Sequence, residues 1–491
     1  MTSQPPDLYA TLGVSRDAAP ADIEAAYAKW EARARAGETI VPEMWDRLRY
    51  AREVLSNPQR RSLYDSLVAE TAASGLDAGL SLSADRLALL DTAQVLYVLL
   101  TLTSGGVERQ RRPLNIGLVI DRSTSMRGER LEKVLTAVSL LLDKLAPDDA
   151  LSLVSFSDRA EVVLPAVVLG AAGEDNSRET AAAWRAPHRS LRAITASGGT
   201  EIYQGLQAGL DQVWPLAGDG RTSHLILMTD GHTYGDTGDC LRLAERAAAR
   251  GIGLTAFGIG ADWNDTFLDA LVAPSGGQSH FIETPADVLP HLENRLKGLS
   301  AVHARNITLR RVWPGQFTLR GGFKLAPFPQ PLSLEADPIP FGDLEGRAPL
   351  AVLLEFVVAP LAVAARFRLS FEFRYTLPDG RDETVARSTQ LIALDVAADA
   401  TPSAALIEAA RRLNLYRMQE KAWEEAQSGK LDTAAARMRQ LTARYLETGD
   451  LRLAKQAQLE AQRLGHLGTM SLEGRKVLKY GTRSLLGQMK P

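Results

Sequence analysis

Ile116-Gly117-Leu118-Val119-Ile120 runs straight into Asp121-Arg122-Ser123-Thr124-Ser125, and beyond it Leu131, Val134, Leu135, Val138, Leu141, Leu142 and Leu145 recur at helical spacing. An unbroken apolar run, a polar loop and an amphipathic stretch together read as a buried strand, a loop and a helix. Working outward, the apolar runs 151–156, 225–229 and 252–259 alternate with further helical stretches across residues 112–300. That alternation predicts a parallel sheet covered by helices. The loop at Asp121 then lies at the carboxyl end of a parallel strand, where doubly wound sheets place their ligands.

An Asp-x-Ser-x-Ser triplet alone is a weak signal, since three common residues recur by chance. Two further segments strengthen it. Gly198-Gly199-Thr200 precedes a helical stretch with Tyr203, Leu206 and Leu210, and the run 225–228 ends in Thr229-Asp230-Gly231. In order and in placement, these three segments resemble the von Willebrand factor type A domain over residues 113–300, in particular its bacterial group. The resemblance implies a metal-ion-dependent adhesion site in which Ser123 and Ser125 coordinate through hydroxyls, Thr200 directly or through water, and Asp121 and Asp230 mainly through water. Mg²⁺ suits such a set, because a small hard cation takes about six oxygens and sheds its water reluctantly; Mn²⁺ and Ca²⁺ are the alternatives. With few anionic ligands the ion stays electrophilic, so a partner's Asp or Glu can complete the coordination. The competing reading is that Ser123 and Ser125 cap the helix near Glu129 and Asp230-Gly231 is a turn.

Upstream, Asp7-Leu8-Tyr9-Ala10-Thr11-Leu12-Gly13-Val14, a helical stretch over 21–35, and Ala51-Arg52-Glu53-Val54-Leu55-Ser56-Asn57-Pro58 with Arg61, Tyr64 and Asp65 resemble a J domain over residues 1–70. The chain departs from it at the functional loop. Where the family carries His-Pro-Asp, this sequence has Gly37-Glu38-Thr39-Ile40-Val41-Pro42, and its first histidine is His188. The family's stimulation of a chaperone ATPase is therefore not expected to be inherited, and docking is the expected role. Residues 71–112 read as a linker with a strand around 95–102; the resemblance to the bacterial type A proteins implies that such an upstream strand joins a β-sandwich that follows the domain, so the α/β domain is expected to be inserted into it. In residues 301–397, Phe367, Leu369, Phe371, Phe373 and Tyr375 alternate with polar residues ahead of Pro378-Asp379-Gly380, the period-2 pattern of an antiparallel sheet with one packed face. Residues 398–491 return to helix, punctuated by Gly429 and Gly449 in the manner of helical hairpins. Its basic end, Gly474-Arg475-Lys476-Val477-Leu478-Lys479-Tyr480-Gly481-Thr482-Arg483, reads as a solvated helix end.

These blocks exceed the roughly three domains that 491 residues suggest at about 150 per domain. Lys and Arg total 56 against 59 Asp and Glu, a net charge of −3, which argues against a chain-wide nucleic-acid footprint. Residues 92–107 are uncharged up to Val107 but short of the ~20 apolar residues of a membrane span, and the start of the chain lacks a signal-peptide pattern. The single cysteine, Cys240, permits no intrachain disulfide; it reads as a small packing residue, and a cytoplasmic location is expected. Asp262-Trp263-Asn264-Asp265 reads as a helix start with Trp263 packed locally. Phosphate loops, nucleophile elbows and zinc helices are absent from the sequence, and the seven histidines show no zinc spacing. His232, nearest the motif, is read as a surface residue. The expectation is a multidomain, non-enzymatic scaffold that binds a partner's Asp or Glu through a metal. A J-protein-like chaperone cofactor and a metal-assisted enzyme are the alternatives.

Overall fold

A computed structural model describes residues 8–15, 18–35, 41–62, 64–65, 76–104, 111–170, 187–218, 220–231, 235–346, 348–378, 380–394 and 402–487. The 37–40 part of the J-like loop, His232 and Asp379 lie outside these residues. The α/β domain is built on a six-stranded sheet in the order Ala160–Val168, Ala150–Phe156, Leu114–Asp121, Thr222–Thr229, Gly253–Ile259 and Gln278–Ile282. All neighbours are parallel except the Ala160–Val168 edge. Every residue of Leu114–Asp121 is buried because both faces are covered. Helices Glu129–Leu142 and Val288–Ser300 pack on one face, and Ile202–Val213, Thr237–Ala249 and Asp265–Val272 on the other. Chain order reverses at this central strand, the place where doubly wound sheets open a crevice at their carboxyl ends.

The α/β domain is inserted into a β-sandwich. Strand Gln94–Ser104 precedes it in the chain yet pairs antiparallel with Leu350–Val358 beyond it, from Gln94↔Val358 to Leu102↔Leu350. Strand Leu76–Leu82 lies beside it in the same five-stranded sheet, and Val302–Val312, Ala365–Thr376 and Asp382–Leu394 belong to the facing one. No helix among the described residues is long and apolar enough to cross a membrane. The inner faces meet at Phe341, Phe356, Leu369, Phe371, Phe373 and Tyr375. Phe371 contributes a fully buried ring whose centroid lies 6.2 Å from Trp313 and 6.4 Å from Phe356. Phe371→Ala should destabilise the sandwich by about 3–5 kcal/mol through lost burial and a residual cavity; a urea midpoint unchanged from wild type would contradict this packing.

At the N-terminus, helices Leu8–Leu12, Pro20–Arg35 and Pro42–Leu55 enclose a small core of Leu8, Tyr9, Leu12, Ile23, Tyr27 and Leu48. Arg61 Nε donates to the Tyr9 hydroxyl at 2.9 Å, which in turn donates to Asp65 at 2.8 Å.

Helices Ala404–Gln427, Leu431–Glu447, Leu451–Leu467 and Leu472–Gly487 form the C-terminal bundle. Here the structure corrects the solvated reading of residues 474–483. Lys476, Lys479, Thr482 and Arg483 are buried. Arg483 pairs with Asp269 at 2.5 Å, Lys479 with Asp269 at 2.9 Å, and Arg475 with Asp265 at 2.8 Å. Lys476 donates to the carbonyls of Ala261 and Trp263. A helix bearing four cations looks solvated in sequence because the acids that neutralise it lie more than 200 residues away. Trp263 is likewise not packed only locally, since its ring lies 5.8 Å from Tyr480 of the same terminal helix.

Candidate functional site

Strands Leu114–Asp121 and Thr222–Thr229 are adjacent and parallel, so their carboxyl ends bring Asp121 and Asp230 to one edge. Both are buried. After Asp121 the chain turns through a short 3-10 segment, Thr124–Met126, before helix Glu129–Leu142. That helix has Gly128 at its N-cap and no side-chain cap, so the Ser123 and Ser125 hydroxyls are not spent on capping it. They lie 3.0 Å from one another, and Ser125 donates onward to Asp230 Oδ1 at 2.7 Å. Asp121 accepts the Ser123 N–H at 2.8 Å on Oδ1 and the Thr229 hydroxyl at 2.6 Å on Oδ2.

The third segment is stitched to the first by the backbone. Thr124 donates both its N–H, at 3.0 Å, and its hydroxyl, at 2.8 Å, to Gly198 O, and Ser197 N–H donates to Arg122 O at 2.7 Å. Asp158 steadies the loop by accepting the Gly199 N–H at 2.8 Å. Thr200 is thereby set beside Gly231: a Cβ added at Gly231 would fall 3.0 Å from Thr200 Oγ1. The five residues singled out in sequence thus lie in three loops at one edge of the sheet, and the structure ties Asp121, Ser123, Ser125 and Asp230 in one chain of hydrogen bonds. Among the described residues no group of three or more His, Cys, Asp or Glu gathers that could hold a metal ion. Two carboxylates plus hydroxyls is an all-oxygen set that fits a hard cation and no soft one.

Burial pushes the Asp121 carboxyl up to about 6, against the lowering effect of the Thr229 and Ser123 hydrogen bonds and with a further push from the charge of Asp230. A divalent charge at this edge would favour its ionised form. Sequence reasoning missed three contributors. Thr229 is the last residue of its strand and has no place in the motif, Asp158 sits in a separate loop, and Arg130 carries no motif signal, yet its Nη1 donates to Asp230 Oδ2 at 2.6 Å. The 262–265 segment is a helix start: Asn264 accepts the Phe267 N–H at 3.0 Å. Cys240 is buried in helix Thr237–Ala249, and burial pushes its thiol up to about 12, so it is a packing residue.

A doubly wound sheet with this loop cluster at its switch point defines the class: residues 115–295 match the von Willebrand factor type A domain, and the α/β unit is such a domain. Residues 404–488 match the Sll0103-like, C-terminal alpha-helical domain. The chain is 33% identical over 201 residues to the uncharacterized protein sll0103 of Synechocystis sp., covering 41% of this chain and 45% of that one. A 71-residue stretch is 35% identical to DnaJ protein homolog ANJ1 of Atriplex nummularia, 14% of this chain and 17% of that one. The aligned part thus spans less than half the length of these curated relatives. Among solved structures, a von Willebrand factor type A protein from Catenulispora acidiphila shares the fold, with a TM-score of 0.65 at 16% identity over 83% of this chain and 96% of that one.

Proposed function

We propose that this chain is a non-enzymatic scaffold whose type A domain docks a protein partner through a divalent ion. Asp121, Ser123, Ser125, Thr200 and Asp230 would hold Mg²⁺, with Mn²⁺ or Ca²⁺ as substitutes of the same oxygen preference. When bound, the ion supplies an electrophilic position for an Asp or Glu of the partner. The observation that carries the reading is the line of oxygens from Ser123 through Ser125 to Asp230, at 3.0 and 2.7 Å. Its hydroxyls are neutral and leave the ion most of its charge, which favours capture of an anion over activation of water. Both carboxylates are also committed, Asp121 to Ser123 and Thr229 and Asp230 to Ser125, which speaks against a free general base and hence against the metal-assisted enzyme.

The N-terminal helices are assigned a docking role on the J-like motif residues around Tyr9 and Arg61. The reading includes a cytoplasmic setting and partners other than nucleic acid, supported by a single cysteine and a net charge of −3. Ser123→Ala should lower Mg²⁺ affinity at least about tenfold, since it removes one of few direct donors, and should abolish partner capture in a pull-down that wild type shows with Mg²⁺ and loses with chelator. Capture indifferent to chelator would sink the proposal. A second reading, a chaperone cofactor, is favoured by the 71-residue match to the DnaJ homolog. ATPase turnover of a chaperone partner with and without residues 1–70 separates the two, the scaffold reading expecting no stimulation.

A further inference from the structure

The site's floor already holds a cation. Arg130, in the first turn of helix Glu129–Leu142, grips Oδ2 of Asp230 at 2.6 Å with Nη1, while Oδ1 of the same carboxylate accepts from Ser125. Its other arm, Nη2, lies 4.0 Å from Oδ2 of Asp262. The two acids differ sharply in setting: the Asp230 side chain is 0% exposed, that of Asp262 is 70% exposed, and Arg130 between them is 35% exposed. They follow neighbouring strands, Thr222–Thr229 and Gly253–Ile259, so both belong to the same edge of the sheet. Gly260 makes room for the arm, for a Cβ there would sit 3.3 Å from Nη2.

The segment that carries Asp262 is held firmly. Trp263 Nε1 donates to Gly260 O at 2.8 Å, and Lys476 reaches across from the terminal helix to the carbonyls on either side of Asp262, those of Ala261 and Trp263. Closing the gap from 4.0 Å to hydrogen-bond distance requires the guanidinium to move only about 1 Å.

We propose, resting on the ion-docking reading above, that Arg130 is a two-position counter-cation of the site. It neutralises Asp230 when no divalent ion is held and moves to Asp262 when one is. While it grips Asp230 it occupies one carboxylate oxygen and repels a second cation, so it weakens ion binding. Once moved, it sets a positive charge at the exposed rim beside the partner's acid, so ion uptake and acid capture reinforce one another. A double-mutant cycle in the full-length chain, read by calorimetric titration with Mg²⁺ alone, tests this. Arg130→Gln should bind Mg²⁺ about five- to tenfold tighter than wild type, and Asp262→Asn about threefold weaker, within the usual range of coupled sites. In the double variant the Asp262→Asn effect should vanish. Circular dichroism checks the fold, and Arg130→Met, which keeps the apolar stem, serves the same cycle should the Gln variant not fold. Unchanged Mg²⁺ affinity on losing Arg130, or an Asp262→Asn effect that persists without Arg130, overturns the inference and leaves the ion site standing. A wild-type chain that takes up no Mg²⁺, or an Asp121→Ala variant that binds it undiminished, overturns the ion-docking reading and the inference with it.

Discussion

Asp121→Asn should abolish Mg²⁺ binding and, in the absence of the ion, stabilise the chain at pH 7 by up to about 3 kcal/mol. Both effects come from one buried carboxyl. Its folded-state value of about 6 lies above the ordinary 3.8 of an unfolded chain, and a pKa unit corresponds to about 1.4 kcal/mol. The sign follows from proton linkage: in this window the folded state binds more protons than the unfolded one, so stability falls as pH rises. The contribution of Asp121 is fully present below about pH 4, is lost as pH climbs to about 6, and above that its ionisation is a constant cost. Asparagine removes that cost and keeps an acceptor for the Ser123 N–H, while its amide N–H faces the Thr229 hydroxyl as a donor and reverses that hydrogen bond. Because a carboxylate that holds the ion, directly or through water, does so in its ionised form, Mg²⁺ affinity in the wild type should fall toward tenfold per pH unit below about 6. Chemical denaturation from pH 4 to 8, paired with calorimetry on both proteins, measures all three quantities. An asparagine variant that binds Mg²⁺ as wild type does would remove Asp121 from the site.

Asp269→Ala should cost about 3–5 kcal/mol and loosen the terminal helix from the α/β domain, because it strands the buried Arg483 without its counter-charge and leaves Lys479 with Asp265 alone. The side chains of Arg483 and Lys479 are each 3% exposed, and Asp269 faces both, at 2.5 and 2.9 Å. Burial works to raise the Asp269 carboxyl, but the Arg483 and Lys479 charges outweigh it and hold it far below the usual carboxylate range. A depressed carboxyl contributes stability that is present above about pH 4 and is lost as pH falls below it. The native chain should therefore release Leu472–Gly487 in acid, and the variant should do so already at neutral pH. Hydrogen exchange across that helix reports the release, and a denaturant midpoint the cost. Full protection of the helix in the variant at pH 7 would show that Tyr416 and Ser279, which also contact Arg483, and Asp265, which also pairs with Lys479 and Arg475, suffice to hold it.

How far the sequence could be read depended on whether a residue's role is local. Leu369, Phe371, Phe373 and Tyr375 share one face because a strand alternates, and that face packs whatever the partner sheet is. The insertion of the α/β unit is expected only through the family resemblance, since no local pattern reports a pairing of Gln94–Ser104 with Leu350–Val358 across some 250 residues. At the site, Asp121, Ser123 and Ser125 fall on one loop and are legible as a motif. Thr229 and Arg130 are not, because a hydroxyl beside an aspartate and an arginine in a helix's first turn have many unremarkable uses.

Sequence by itself determined the elements: a run of apolar residues long enough to be buried on both sides, an alternating sheet face, and helices punctuated by Gly429 and Gly449. Those are properties of period and propensity, set within a few residues. Only the tertiary structure decided the charges. Whether Lys476, Lys479 and Arg483 face water or Asp269 and two backbone carbonyls, and whether Asp230 stands alone or with Arg130, depends on which distant segments share a low-dielectric space. Electrostatic energy there is governed by distance through space and by burial, and neither is written in the spacing of residues along the chain.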